Sequence, residues 1–168
     1  LRVDPPDIME FIEAKTDHSK LNNFNISVAV TDKFMEAVEN EEDFPLINPR
    51  SNEEVGRLNA REVFDRMTEL AWDGGDPGVI FIDEMNRYNQ TPGVGMIESC
   101  NPCGEVPLLP NESCNLASIN LSKFVKTNGG IDCRGLSDTI HDAVHFLDNV
   151  IDMNEFPLPQ IKEATRGN

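Results

Sequence analysis

Asn59-Ala60-Arg61-Glu62-Val63-Phe64, running on through Met67, Leu70 and Ala71 to Gly74-Gly75-Asp76-Pro77-Gly78 and then Val79-Ile80-Phe81-Ile82, is the stretch that decides the fold class. Its first four residues have the form of a capping box. The Asn59 side chain can accept from an amide of the first turn, and Glu62 can reach back to the Asn59 amide. Val63, Phe64, Met67, Leu70 and Ala71 recur at helical spacing, so an amphipathic helix is predicted. The glycines and Pro77 end it, and Val79–Ile82 follows as a continuous apolar run, expected to be a strand buried on both faces. A helix feeding directly into a buried strand is the repeating unit of an α/β sheet.

The flanking sequence follows the same alternation. Asp4-Pro5-Pro6-Asp7 reads as a helix start, with Asp4 as candidate N-cap. Ile8, Phe11, Ile12 and Lys15 carry that helix to about Thr16. Phe24–Val30 alternates and is β-rich, which predicts a strand. Thr31 can cap a following helix that buries Phe34, Met35 and Val38. From Glu39 to Arg50 the chain is acidic and proline-bearing, a surface loop or short hairpin. Asn86–Gly95 reads as a polar loop, and Asn128-Gly129-Gly130 as a turn. A long helix is predicted over Leu136–Met153, with Leu136, Ile140, Val144, Leu147 and Ile151 on one buried face. Pro157 and Pro159 interrupt the chain before a last helical start near Gln160. No repeat, low-complexity tract or dividing linker is visible, so residues 1–168 are expected to form one domain.

With 168 residues and a 39% hydrophobic fraction, the chain has material for a real core. It opens on Leu1 without a methionine and stops at Thr165-Arg166-Gly167-Asn168 with no tail-like composition, so an internal piece of a larger protein is expected. Thirty acidic residues against 14 basic ones give a formal charge of −16. Such a surface repels a phosphate backbone and argues against nucleic-acid binding. A phosphorylated small molecule remains compatible, since a few local donors suffice to hold it. No stretch has the length or apolarity of a membrane span and no leader is visible, which points to a cytoplasmic protein. Cysteines 100, 103, 114 and 133 all lie in the second half. That clustering fits catalytic or redox thiols in a reducing compartment better than a disulfide scaffold.

The chemistry concentrates in Glu98-Ser99-Cys100-Asn101-Pro102-Cys103-Gly104-Glu105. Asn101, Cys103 and Glu105 alternate, so an extended segment would turn an amide, a thiol and a carboxylate to one side. A further cysteine follows in Glu112-Ser113-Cys114-Asn115-Leu116, ahead of the apolar positions Leu116, Ile119 and Leu121. Cys100 and Cys103 also form a CxxC, which leaves a small zinc-binding or thiol-redox module as the alternative reading. Zinc would want a second closely spaced pair, and Cys114 and Cys133 stand 19 apart. A thioredoxin-like motif should open a helix, whereas Pro102, Gly104 and Pro107 argue for extended chain. His141 and His145 are four apart on the long helix, but share their face with Asp148 and Asp152 and read as solvated, with no metal site. Trp72 and Tyr88 are expected to serve core or loop packing. Asn86, Arg87 and Asn89 either structure their loop or touch substrate, and the structural role is the favoured reading.

Asn101-Pro102-Cys103-Gly104-Glu105 together with Glu112-Ser113-Cys114-Asn115-Leu116-Ala117-Ser118-Ile119-Asn120-Leu121 closely resembles the active-site region of ribonucleotide reductase catalytic chains. The Pro and Gly around Cys103 look most like the adenosylcobalamin-dependent branch. Gly75–Asp83, Leu1-Arg2-Val3-Asp4 and Leu21–Val28 resemble the same family in the same order. The resemblance implies part of a ten-stranded α/β barrel with the catalytic cysteine on an interior loop, and residues 1–168 as a central section truncated at both ends. It implies a thiyl radical at Cys103 that abstracts hydrogen from C3′ of the ribose. Glu105 would take the 3′-hydroxyl proton, Asn101 would orient the ribose hydroxyls, and Cys114 would be one of two reducing cysteines. The partner of Cys114 in that pair is matched by neither Cys100 nor Cys133. Cys100 stands where the family pattern has Thr or Ser. The implied ligands are a ribonucleoside di- or triphosphate, adenosylcobalamin, a nucleotide effector in the full-length protein and a dithiol reductant such as thioredoxin. The implied assembly is a homodimer, and the isolated section is expected to be inactive.

Overall fold

The β-rich run at 24–30 forms strand β1 only over Ser27–Val30, in a computed structural model that describes residues 1–17 and 19–167. The strand begins late because Lys15 takes the Phe24 carbonyl with its Nζ at 2.6 Å, drawing that residue out of any ladder. Val28, Ala29 and Val30 are all buried, so β1 is covered on both faces. It pairs in parallel with β4 (Gly78–Phe81), Val28 opposite Val79 and Val30 opposite Phe81. On its other edge Val3 donates to the Ala29 carbonyl at 3.0 Å and Ala29 to the Leu1 carbonyl at 2.7 Å. Parallel strands joined through helices are α/β architecture, as the sequence predicts.

The expectation of a strand buried on both faces at Val79–Ile82 holds for only one face. Ile80 is buried against Ala29, Ile82 and Ile97, whereas Val79 and Phe81 are 37% and 50% exposed. Within the described residues β4 pairs with β1 alone, so the packing that covers β1 does not extend across it. Ile82 leaves the strand and starts helix α4 (Ile82–Arg87), which takes over the beginning of the loop predicted at 86–95.

Helix α1 spans Ile8–Glu13, shorter at both ends than the 4–16 pattern. Asp4 does not cap it. Its carboxylate instead receives the Arg2 guanidinium through two bonds of 3.0 and 3.1 Å, and Ile8 donates to Pro5, closing a turn through the prolines. Helix α2 (Asp32–Glu39) starts as predicted, Thr31 accepting from the Phe34 amide at 3.2 Å with its hydroxyl. The acidic stretch at 39–50 contains strand β2 (Asp43–Ile47), which forms an antiparallel hairpin with β3 (Glu54–Asn59). Strand β3 had no sequence expectation. Its alternation of Val55 and Arg57 outward with Gly56 and Leu58 inward is short and carries a glycine, a weak strand signal.

Helix α3 (Ala60–Gly74) has half of the predicted capping box: Asn59 Oδ1 accepts from the Glu62 amide at 3.1 Å, and among the described residues the Glu62 carboxylate does not reach back to the Asn59 amide. It ends where Gly75 takes φ +85°, a left-handed conformation that costs glycine little. Val63 and Met67 of this helix join Ile8, Ile12, Val28, Val30, Phe34 and Val38 in the main core. The Phe34 and Phe44 rings meet edge to face there, with centroids 5.3 Å apart. Trp72 lies on the opposite side of α3 and is 87% exposed, and Tyr88 is 72% exposed, so neither serves the packing role expected of it.

Residues 1–110 constitute one compact unit and 111–168 a second. The second unit holds a 3₁₀ turn at Leu121–Phe124, the long helix α5 (Cys133–Met153) and helix α6 (Pro159–Gly167). Asp132 caps α5 through the Gly135 amide at 3.4 Å, so the helix begins three residues before Leu136. Its predicted apolar face exists but is not buried. Ile140 and Val144 are 45% and 53% exposed, because the second unit supplies too little structure to cover a 21-residue helix. Leu116 and Leu121 are likewise exposed, in a stretch with no regular strand. Asn168, the last residue of the closing stretch, lies outside the described residues. No helix among the described residues is long and apolar enough to cross a membrane.

Candidate active site

Cys103 stands at the tip of a short hairpin made by β5 (Ser99–Cys100) and β6 (Pro107–Leu108). Ser99 faces Leu108 and Cys100 faces Pro107, and Glu98 donates to the Leu108 carbonyl at 3.2 Å. The loop between the strands is held by Asn101. Its amide nitrogen donates to the Val106 carbonyl at 3.1 Å, and its side-chain Oδ1 accepts from the Val106 amide at 3.0 Å. The Gly104 amide then donates to the Asn101 carbonyl at 3.0 Å, closing a four-residue turn with Pro102 and Cys103 at its centre. Gly104 has φ +86°, which a side chain would resist at a cost of about 1–2 kcal/mol.

The extended segment with three side chains on one face is therefore corrected to a folded tip. Asn101 is buried at 6% exposure with its carbonyl oxygen committed to the loop, while Cys103 and Glu105 are exposed. The left-handed glycine reverses the chain where an extended reading kept it straight. All three residues nevertheless belong to one six-residue loop, so the sequence cluster is also a cluster in space.

Asn25 had no sequence signal. It falls within the 24–30 run expected to be a strand but precedes β1, and its Nδ2 donates to Cys103 Sγ at 3.8 Å. Beside it opens a cleft of about 370 Å³ lined in part by Arg2, Asn25, Ser27, Glu98, Cys100 and Asn101. The approach to the hairpin is anchored by Asn86, whose amide donates to the Ile97 carbonyl at 2.9 Å and accepts from its amide at 2.8 Å. Asn89 donates to the Gly95 carbonyl at 2.8 Å, and Arg87 pairs with Asp32 and Glu84. The structural role expected for these three residues holds.

Cys100 differs in kind from Cys103. It packs half-buried against the Ala29–Ile80–Ile82–Ile97 cluster, and that burial pushes its thiol up from the ordinary cysteine value. A thioredoxin-type CxxC requires the reverse, a thiol lowered at a helix start. All four cysteines are free. Among the described residues no group of three or more His, Cys, Asp or Glu side chains is arranged to hold a metal ion. His141 and His145 are exposed on α5.

In the second unit Cys114 is exposed and lines a cavity of about 110 Å³ with Ser113, Asn115, Val150, Ile151 and Phe156 among its walls. Asn115 ties the segment to α5 by donating to the Leu147 carbonyl at 2.9 Å. The hydroxyls of Ser113 and Thr165 meet at 3.1 Å. Two side-chain bonds thus hold the residues on either side of Cys114, whose thiol is free and exposed.

The family model described as ribonucleotide reductase, barrel domain, matches residues 1–168. The chain belongs to the ribonucleotide reductase barrel-domain family. A vitamin B12-dependent ribonucleoside-diphosphate reductase of Thermoplasma acidophilum is 53% identical over 167 residues, covering 99% of this chain and 22% of that protein. One from Mycobacterium tuberculosis strain H37Rv is 49% identical over 168 residues, with 99% and 24% covered. A vitamin B12-dependent ribonucleotide reductase of Streptomyces coelicolor is 33% identical over 194 residues, with 99% and 20% covered. The chain thus spans about a quarter or less of the length of the curated relatives it matches. Membership in the ribonucleotide reductase family over every residue leaves the zinc or thiol-redox module built on Cys100 and Cys103 without support.

Proposed function

We propose that these residues are the central section of a ribonucleoside-diphosphate reductase, which makes 2′-deoxyribonucleotides by thiyl-radical chemistry. In this reading residues 1–168 are one partial domain of a ten-stranded α/β barrel, with the Cys103 loop inside it. The observation that carries it is the hairpin tip, where a free, exposed thiol sits two residues from a carboxylate and two from a buried amide. The diphosphate form follows the names of the relatives from Thermoplasma acidophilum and Mycobacterium tuberculosis.

Each side chain has a task suited to its chemistry. Cys103, as a thiyl, takes the hydrogen atom from C3′, re-forming its S–H and leaving a carbon radical on the ribose. The exposed Glu105 carboxylate accepts the 3′-hydroxyl proton, which drives electron density toward C2′ and expels the 2′-hydroxyl, protonated by a cysteine thiol, as water. Asn101 has its Oδ1 occupied by Val106, so its Nδ2 is the end that serves a ribose hydroxyl, as a donor. Cys114 and a second cysteine supply two electrons and two protons and end as a disulfide. Cys103 finally returns its hydrogen to C3′. The sum is one ribonucleotide and two thiols converted to one deoxyribonucleotide, one disulfide and water.

The free, accessible Sγ of Cys103 fits approach by a bound radical source, and Cys103 is the residue of this chain that would meet it. Adenosylcobalamin, when bound, supplies the one-electron chemistry that removes the thiol hydrogen. A thioredoxin-like dithiol resets the disulfide, a nucleotide effector regulates the full-length protein, and two copies form its homodimer. Four free thiols and a charge of −16 suit the reducing cytoplasm.

The test is Glu105→Gln in the full-length protein, assayed for deoxyribonucleotide formation with ribonucleoside diphosphate, adenosylcobalamin and a dithiol. Removing the base is expected to lower kcat about 100-fold. Activity within twofold of the wild type would remove Glu105 from the mechanism. A wild-type protein that forms no deoxyribonucleotide under these conditions overturns the reading.

A further inference from the structure

The contact between Asn25 and Cys103 joins residues 78 positions apart, and the segment bearing Asn25 is clamped on both sides. On the N-terminal side the Phe24 carbonyl accepts from Lys15 Nζ at 2.6 Å. On the C-terminal side the Ile26 amide donates to Asp76 Oδ1 at 3.4 Å, and the Ile26 carbonyl accepts from Gly78 at 2.9 Å. Lys15 and Asp76 are themselves paired at 2.5 Å, with side chains only 16% and 22% exposed. The end of α1, the α3–β4 turn and the lead into β1 therefore converge on the backbone either side of residue 25. The backbone that carries Asn25 is thus fixed from several directions, while its side chain is exposed and reaches Cys103.

An exposed thiol at a turn tip is free to occupy any of its staggered rotamers. An amide donor 3.8 Å from the sulfur biases that choice. An N–H facing a lone pair of Sγ favours rotamers in which the S–H bond points away from Asn25. For hydrogen-atom transfer, direction matters more than for proton transfer through water. The donor and acceptor atoms must meet along the bond being broken, and a misplacement of about 1 Å can cost about 100-fold in rate.

We infer that Asn25 is a positioning residue for hydrogen transfer at Cys103, fixing the orientation of the thiol through its Nδ2, with the Lys15–Asp76 ion pair as its mount. The inference rests on the reading of Cys103 as the hydrogen-abstracting group. It adds to that reading a residue distant in sequence that acts on the sulfur and not on the nucleotide. The bonds that hold the segment run to the backbone of residues 24 and 26, so replacing the Asn25 side chain leaves its mount intact.

The experiment compares Asn25→Ala, Asn25→Asp and Asn25→Gln in the full-length protein with ribonucleoside diphosphate, adenosylcobalamin and a dithiol, recording kcat and KM separately. Asn25→Ala is expected to lower kcat about 10- to 100-fold with KM within about twofold. Asn25→Asp keeps the size but lacks the donor and should lose at least as much. Asn25→Gln, which retains an amide N–H, should recover part of the loss. A kcat within twofold of the wild type in Asn25→Ala overturns the inference, as does Asn25→Gln performing no better than Asn25→Ala. If Cys103→Ser is inactive while Asn25→Ala is fully active, only this inference fails. If Cys103→Ser is itself active, the reading beneath it fails as well.

Discussion

Cys103→Ser in the full-length protein is expected to abolish ribonucleotide reduction, by about 10⁴-fold or more, while the Kd for the nucleotide stays within about twofold. A loss on this scale is what removal of the group that forms the reactive intermediate produces. Serine keeps the shape of the side chain and the turn around it. The hairpin is closed by Asn101, Val106 and Gly104, none of which needs the sulfur. What changes is the bond to hydrogen. A thiol S–H is weak enough to be broken and re-formed against a ribose C–H, and a hydroxyl O–H is not. Nucleotide binding and turnover should therefore separate cleanly, as expected when an interaction operates only in the transition state. Substantial residual turnover, or a parallel collapse of nucleotide affinity, would remove the radical role from this residue.

Cys114→Ser is expected to act later in the cycle. With a dithiol as reductant, steady-state turnover should fall about 1,000-fold or more, since loss of one member of a unit costs nearly as much as loss of all. After a single turnover, mass-spectrometric mapping should find a disulfide that contains residue 114 in the wild type and none in the variant. Asn115 and Ser113 fix the neighbouring backbone through Leu147 and Thr165, so the serine variant should fold as the parent does. An unchanged steady-state rate would refute the reducing role. Cys100→Ser provides the contrast: its half-buried thiol packs against Ala29, Ile80, Ile82 and Ile97 and plays no part in the proposed cycle.

Local chemistry was the part of the fold legible in the sequence. Thr31 and Asn59 cap their helices, Gly75 ends α3, and the apolar spacing of Val63 and Met67 marks buried positions, because each depends on neighbours a few residues away. The errors arise where a side-chain contact outside the pattern decides. Phe24 leaves its strand because Lys15, nine positions earlier, takes its carbonyl. Asp4 fails as a cap because Arg2 claims its carboxylate. Val79, Phe81, Ile140 and Val144 were predicted to be buried from their pattern, but pattern specifies a face and not what covers it.

The candidate site divides in the same way. Asn101, Cys103 and Glu105 could be found because they are adjacent and chemically distinctive. Their geometry could not, since one left-handed glycine and one amide-to-backbone bond convert an extended strand into a turn. Asn25 was invisible because its significance lies in a contact across 78 positions, which the strand reading of 24–30 does not signal.

The central claim is that Cys103 draws a hydrogen atom from C3′ of the nucleotide, and isotopic competition at that carbon tests it most directly. The full-length protein is given an equal mixture of unlabelled ribonucleoside diphosphate and the same compound deuterated at C3′, and the reaction is stopped at partial conversion. The account predicts that the unreacted nucleotide becomes enriched in deuterium, because the heavier C–D bond is broken more slowly. An unreacted pool that keeps its starting composition would contradict it.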